Sequence, residues 1–118
     1  MQTEMKGAAP IASLISKSRK AQQKLAAGTW QHAMLRTHLK ALHIASALMN
    51  KSADETRDLT CQDLQETLRG LTVMMSKAHK AQAKFSRGTS HHTLQRNRLK
   101  ALRTAVALVK VELNKRDA

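Results

Sequence analysis

The sequence predicts an all-α domain, a four-helix pseudo-twofold bundle of two duplicated helical hairpins, on three observations. Residues 16–48 align without a gap onto residues 76–108, a shift of 60 positions, and 17 of those 33 positions are identical. Unrelated sequence would share roughly two or three at average residue usage. The composition excludes most strand formers: there is no Tyr and only one Phe, one Trp and one Pro, so the core must be Leu, Ala, Val and Met packed between helices. A Gly-Thr pair, Gly28-Thr29, recurs as Gly88-Thr89. Gly is a helix C-terminal cap and Thr a helix N-cap, so each copy reads as a tight hairpin.

Taken in order, Pro10 suits the first turn of a helix, and Ile11, Leu14, Ile15, Ser18, Ala21 and Leu25 keep helical spacing up to Ala27. Helix 2 is expected from about Trp30 to Asn50, with Met34, Leu35, Leu42, Ala45 and Met49 on one face. Trp30 reads as a hydrophobic plug at the turn, because its counterpart is Ser90. The stretch from Asn50 to Leu59 is polar and forms a connector, after which Thr60 can cap helix 3. The apolar line of helix 3 runs through Leu64, Leu68, Leu71, Met74 or Met75, Ala78, Ala81 and Phe85, with Gly70 interrupting its middle. Helix 4 carries Leu94, Leu99, Leu102, Ala105, Val109 and Leu113. With 118 residues there is room for one modest core. The chain is therefore a single domain over 1–118: repeat 1 at about 10–50, an acidic connector at about 50–60, and repeat 2 at about 60–115.

Charge narrows the function. The net charge is +13 and unevenly placed. Residues 1–50 carry seven Lys/Arg against one acid, residues 71–118 eleven against two, and residues 51–70 three against five. Self-repulsion on that scale implies a polyanionic partner. Nucleic acid, DNA or RNA, is the first expectation, an acidic protein the second and an anionic membrane the third. Cys61 is alone, which excludes a disulfide framework and a Cys-based zinc site and suits a reducing, cytoplasmic setting. No 18-residue apolar stretch exists, so the protein is expected to be soluble and not embedded in a membrane.

The shared positions are not only core-like. On a helical wheel Lys17, Lys20 and Lys24 cluster opposite the Ile/Leu face, and His32, Arg36, Lys40 and His43 do the same on helix 2. Folding at Gly28 is expected to place Lys24 near His32, Lys20 near Arg36 and Lys17 near Lys40, merging two stripes into one basic surface. The second copy offers Lys77, Lys80, Lys84, His92, Arg96, Lys100 and Arg103. No acid lies between Glu4 and Asp54 or between Glu66 and Glu112 to neutralise them. The scarcity of aromatics argues against base stacking and for contact with the phosphate backbone of duplex or structured nucleic acid.

The six histidines have no metal-ligand spacing, and no metal or other cofactor is expected. His38 falls near the apolar side of helix 2, opposite Arg98 in the second copy, and reads as an edge residue. Arg36 and His43, with six residues between them, are similar in spacing to the Arg-x(4 to 6)-His motif of HEPN-family ribonucleases, which are also small helical bundles; that resemblance would imply RNA cleavage, but the second copy has Arg103 in place of the His. No Ser/His/Asp set, carboxylate pair or Gly-rich phosphate loop can be assembled. The expectation is a non-enzymatic nucleic-acid-binding protein, with a cationic adaptor or inhibitor on an acidic protein surface as the alternative. A homodimer is compatible with either.

Overall fold

A computed structural model describes residues 8–51 and 53–117. Every element in them is helical: α1 (Ala8–Gln23), α2 (Trp30–Met49), a single turn α3 (Ala53–Thr56), α4 (Cys61–Ala83) and α5 (Ser90–Asp117). Helices α1 and α2 pack as one hairpin and α4 and α5 as another. Helix α2 also packs on α4 and α5, and α5 on α1, whereas α1 and α4 do not come into backbone proximity. One apolar core serves both hairpins. Ile11 of α1, Leu42 and Met49 of α2, Leu64 and Leu71 of α4, and Leu102 and Val109 of α5 are all essentially inaccessible to solvent.

Both hairpin turns are built alike. Gly28 and Gly88 hold φ of +92° and +87°, a left-handed conformation that costs an L side chain strain. Thr29 Oγ1 donates to the Ala26 carbonyl at 2.9 Å and accepts from the His32 amide at 3.2 Å. Thr89 Oγ1 does the same with Ser86 and His92, at 2.8 and 3.2 Å. Each hydroxyl thus satisfies an amide that the first helical turn leaves without a partner. The first helix of each hairpin stops short of its Gly: α1 ends at Gln23 rather than near Ala27, because the Lys24 and Leu25 amides bond back three residues, to Ala21 and Gln22. The equivalent bonds from Lys84 and Phe85 end α4 at Ala83. Phe85 therefore leaves the predicted apolar line. It is partly exposed in the turn and stacks on the His91 ring at 4.9 Å between centroids.

The connector is not structureless: Ala53–Thr56 forms a helical turn within it. Thr60 then caps α4 in a reciprocal box, accepting from the Asp63 amide while the Asp63 carboxylate accepts from the Thr60 amide, each at 3.0 Å. Asp63 is held below the usual carboxylate range, first by that backbone amide and then by Lys40. The far end of α5 pins this region: Arg116 donates to the carbonyls of Leu59 and, at 3.0 Å, Thr56, and pairs with Glu112. Gly70 is buried in α4 where that helix crosses α2, and a Cβ built there would stand 3.2 Å from the Ala41 Cβ. Its absence of a side chain is what lets the two helices approach.

Candidate nucleic-acid interface

Lys17 and Lys20 lie on α1 and Lys24 in the turn after it; His32, Arg36 and Lys40 lie on α2. Lys77 and Lys80 lie on α4, Lys84 caps its C-terminus, and His92, Arg96, Lys100 and Arg103 lie on α5. All are exposed except His32 and His92, which are half-buried. Of these thirteen, only Lys40 is in an ion pair among the described residues, reaching Asp63 at 3.1 Å. The expectation that no acid neutralises the stripes fails at that position, because the packing of α2 on α4 brings the capping carboxylate beside Lys40.

The polar contacts between α1 and α2 are made by Arg19, whose Nη2 donates to His43 Nε2 at 3.2 Å, and by Gln22, whose amide donates to the His32 carbonyl at 3.4 Å. Lys17 lines the gap between α1 and α4, and so does Lys77. That gap is a groove of about 270 Å³ floored by α2 and α5. Twelve of its thirteen lining residues are six pairs 60 positions apart: Leu14/Met74, Lys17/Lys77, Ser18/Ala78, Ala21/Ala81, Leu35/Gln95 and His38/Arg98, with Leu102 the thirteenth.

His38 is therefore not an edge residue. It is buried, and its pKa is lowered first by desolvation and second by the charge of Lys77 across the groove. Arg98, its counterpart, is also buried, and burial lowers its pKa in turn. A second cleft lies at the turn of the second hairpin, where Gln82, Arg87, Gly88, His92, Thr93 and Arg96 enclose about 540 Å³ of polar character at the start of α5. Two predicted residues, His92 and Arg96, converge there with Arg87, and the amino end of a 28-residue helix adds its partial positive charge. The first hairpin has Ala27 where the second has Arg87.

Trp30 is 70 % exposed and plugs nothing. As the first helical residue after the Thr29 cap it projects from the tip of the hairpin, as exposed Ser90 does at the other. Arg87, Arg98 and Arg19 were not singled out by the sequence pattern. Arg98 had a signal: a polar residue stands at that place on the apolar line in both copies. Among the described residues no group of three or more His, Cys, Asp or Glu side chains could hold a metal ion, and no helix is long and apolar enough to cross a membrane. Protein-family models, curated proteins and solved structures, compared with the chain, give no match.

Proposed function

We propose that this protein binds the phosphate backbone of duplex or structured nucleic acid without cleaving it, and that it does so as a fused pair of equivalent hairpins related by an approximate twofold axis. The observation that carries the binding is the uncompensated charge: thirteen predicted cationic or ionisable side chains on the surface, of which twelve have no ion-pair partner among the described residues. Supporting it, the cleft at the second turn gathers Arg87, His92 and Arg96 around a helix amino end, a geometry suited to a phosphate. The twofold reading is supported by the matching turns, by the six residue pairs of the groove, and by packing in which exchange of α1 with α4 and α2 with α5 swaps α1·α2 with α4·α5 and α2·α4 with α1·α5 and leaves α2·α5 in place.

Each phosphate neutralised releases condensed counterions, so log affinity should fall with log salt at about −0.9 per duplex phosphate engaged. Gel-shift or anisotropy titration across a salt series measures that slope. Replacing Lys20, Arg36 and Lys40 by Ala, or Lys80, Arg96 and Lys100 by Ala, should weaken binding to all sequences alike and flatten the slope. The second triple should cost more, because Lys40 already has Asp63 while Lys100 has no ion-pair partner among the described residues. Weak affinity at physiological salt, unchanged by either triple, would sink the reading.

Exposed Trp30 favours a second reading, a cationic adaptor on an acidic protein, since a lone aromatic beside basic residues is a common interface anchor. In that case Trp30→Ala abolishes capture of the protein partner while nucleic-acid affinity is negligible throughout. The ribonuclease reading rests on Arg36 and His43 alone. It requires that purified protein cleave RNA and that Arg36→Ala and His43→Ala each abolish the cleavage.

A further inference from the structure

The groove between α1 and α4 contains a cation that the fold does not compensate. Arg98 is only 7 % exposed, its Nε has no hydrogen-bond partner among the described residues, and its guanidinium is in no ion pair there. Guanidinium stays protonated in proteins, and a buried charge without a counter-charge is costly to the fold. Lys17 and Lys77 stand at the same groove, which no carboxylate lines. The remaining lining is mostly apolar, with Leu14 and Met74 at its sides and Leu35 and Leu102 on its floor.

Such a cavity suits a ligand with one anionic end and an apolar body. We propose that the groove binds a small amphiphilic carboxylate, its head held by Arg98 with Lys17 and Lys77 flanking it and its chain laid against Leu14, Leu35 and Met74. The planar guanidinium matches the two oxygens of a carboxylate in a forked pair. A groove of about 270 Å³ has room for roughly nine water-sized groups at about 30 Å³ each, close to the size of an eight-carbon acid. Met74 is unbranched and deformable, which lets one wall adapt to the chain. A duplex cannot bring its phosphates to so buried a guanidinium, so the head-group contact at Arg98 does not depend on phosphate binding, while Lys17 and Lys77 at the groove belong to both surfaces.

Isothermal titration calorimetry of the full chain with sodium octanoate, octanol and sodium acetate tests this. Octanoate should bind once per chain. Octanol, lacking the charge, and acetate, lacking the chain, should each bind at least about tenfold more weakly. Arg98→Met should lower octanoate affinity by about tenfold or more while raising the melting temperature of the unliganded protein, because it replaces an uncompensated charge with an apolar side chain. The double variant Lys17→Gln/Lys77→Gln, altered only at exposed positions, should lose several-fold. Equal binding of octanol and octanoate, or unchanged octanoate affinity in Arg98→Met or in the double variant, would overturn the proposal. Duplex DNA affinity of Arg98→Met should stay within about twofold of the parent; a parallel loss would assign Arg98 to the nucleic-acid surface and overturn the proposal.

Discussion

His38 and Arg98 stand at one equivalent position of the two hairpins, yet respond to acid in different ways. Burial, and then the charge of Lys77, hold the His38 imidazole below its ordinary pKa, which is about 6.5. The unfolded chain therefore takes up a proton before the folded chain does. Stability from this residue is complete above about pH 6.5 and is lost as pH falls toward the lowered folded value. The other charged groups at the groove are Lys17, Lys77 and Arg98. Histidines 32, 43, 79, 91 and 92 are exposed or half-buried. The melting temperature should thus drop between pH 7.5 and 5, and His38→Met should flatten much of that drop when followed by circular dichroism. A slope unchanged in the variant would place the titrating group elsewhere.

Among the elements, the crossing of α2 over α4 is set by an absence. Gly70 lowers helix propensity by about 1 kcal/mol relative to Ala, and on sequence grounds it only weakened the case for a continuous α4. The crossing explains it, since there is no room at 3.2 Å from the Ala41 Cβ for more than a grazing side chain. Gly70→Val should destabilise by about 1–3 kcal/mol in urea unfolding, and Ala41→Gly in the same chain should restore part of that by reopening the contact. Loss of the same size with and without Ala41→Gly would show that the crossing is not the cause. What was legible locally was what backbone chemistry dictates over a few residues: the Gly-Thr turns, the Thr60 cap, and the start of α2. The tighter endings of α1 and α4 were not, because periodicity in Leu25 and Phe85 continues past the point where the backbone has already switched to three-residue bonds. Trp30 was misread for a related reason: hydrophobicity argued for burial, but the first position of a capped helix at a hairpin tip has nothing to pack against. Eleven of the thirteen basic residues singled out by the sequence are exposed, and His32 and His92 are half-buried. Which of them meet was not legible, since Lys17 with Lys77 and Lys40 with Asp63 depend on the angle between hairpins rather than on spacing along either one.

At the scale of the whole molecule, a charge of +13 on a chain of 118 residues works against the fold that carries it. Salt should consequently act in opposite directions on stability and on nucleic-acid affinity. Raising NaCl from about 20 mM to about 500 mM shortens the screening length from roughly 20 Å to a few ångström, so the melting temperature should rise while affinity falls. A melting temperature that declines with salt would mean that Lys40–Asp63 and Arg116–Glu112 outweigh the mutual repulsion of the cations. The core is indivisible in the same sense, because Ile11 and Leu42 share it with Leu64, Leu71 and Leu102. Two separate chains, each one hairpin long, would have to find one another to complete such a core, and their folding would depend on concentration. A covalent connector of about ten residues removes that dependence. It also releases the halves from identity: in a pair of identical subunits every substitution is made twice, whereas here Arg87 can stand opposite Ala27, Trp30 opposite Ser90, and a titratable His38 opposite a permanently charged Arg98.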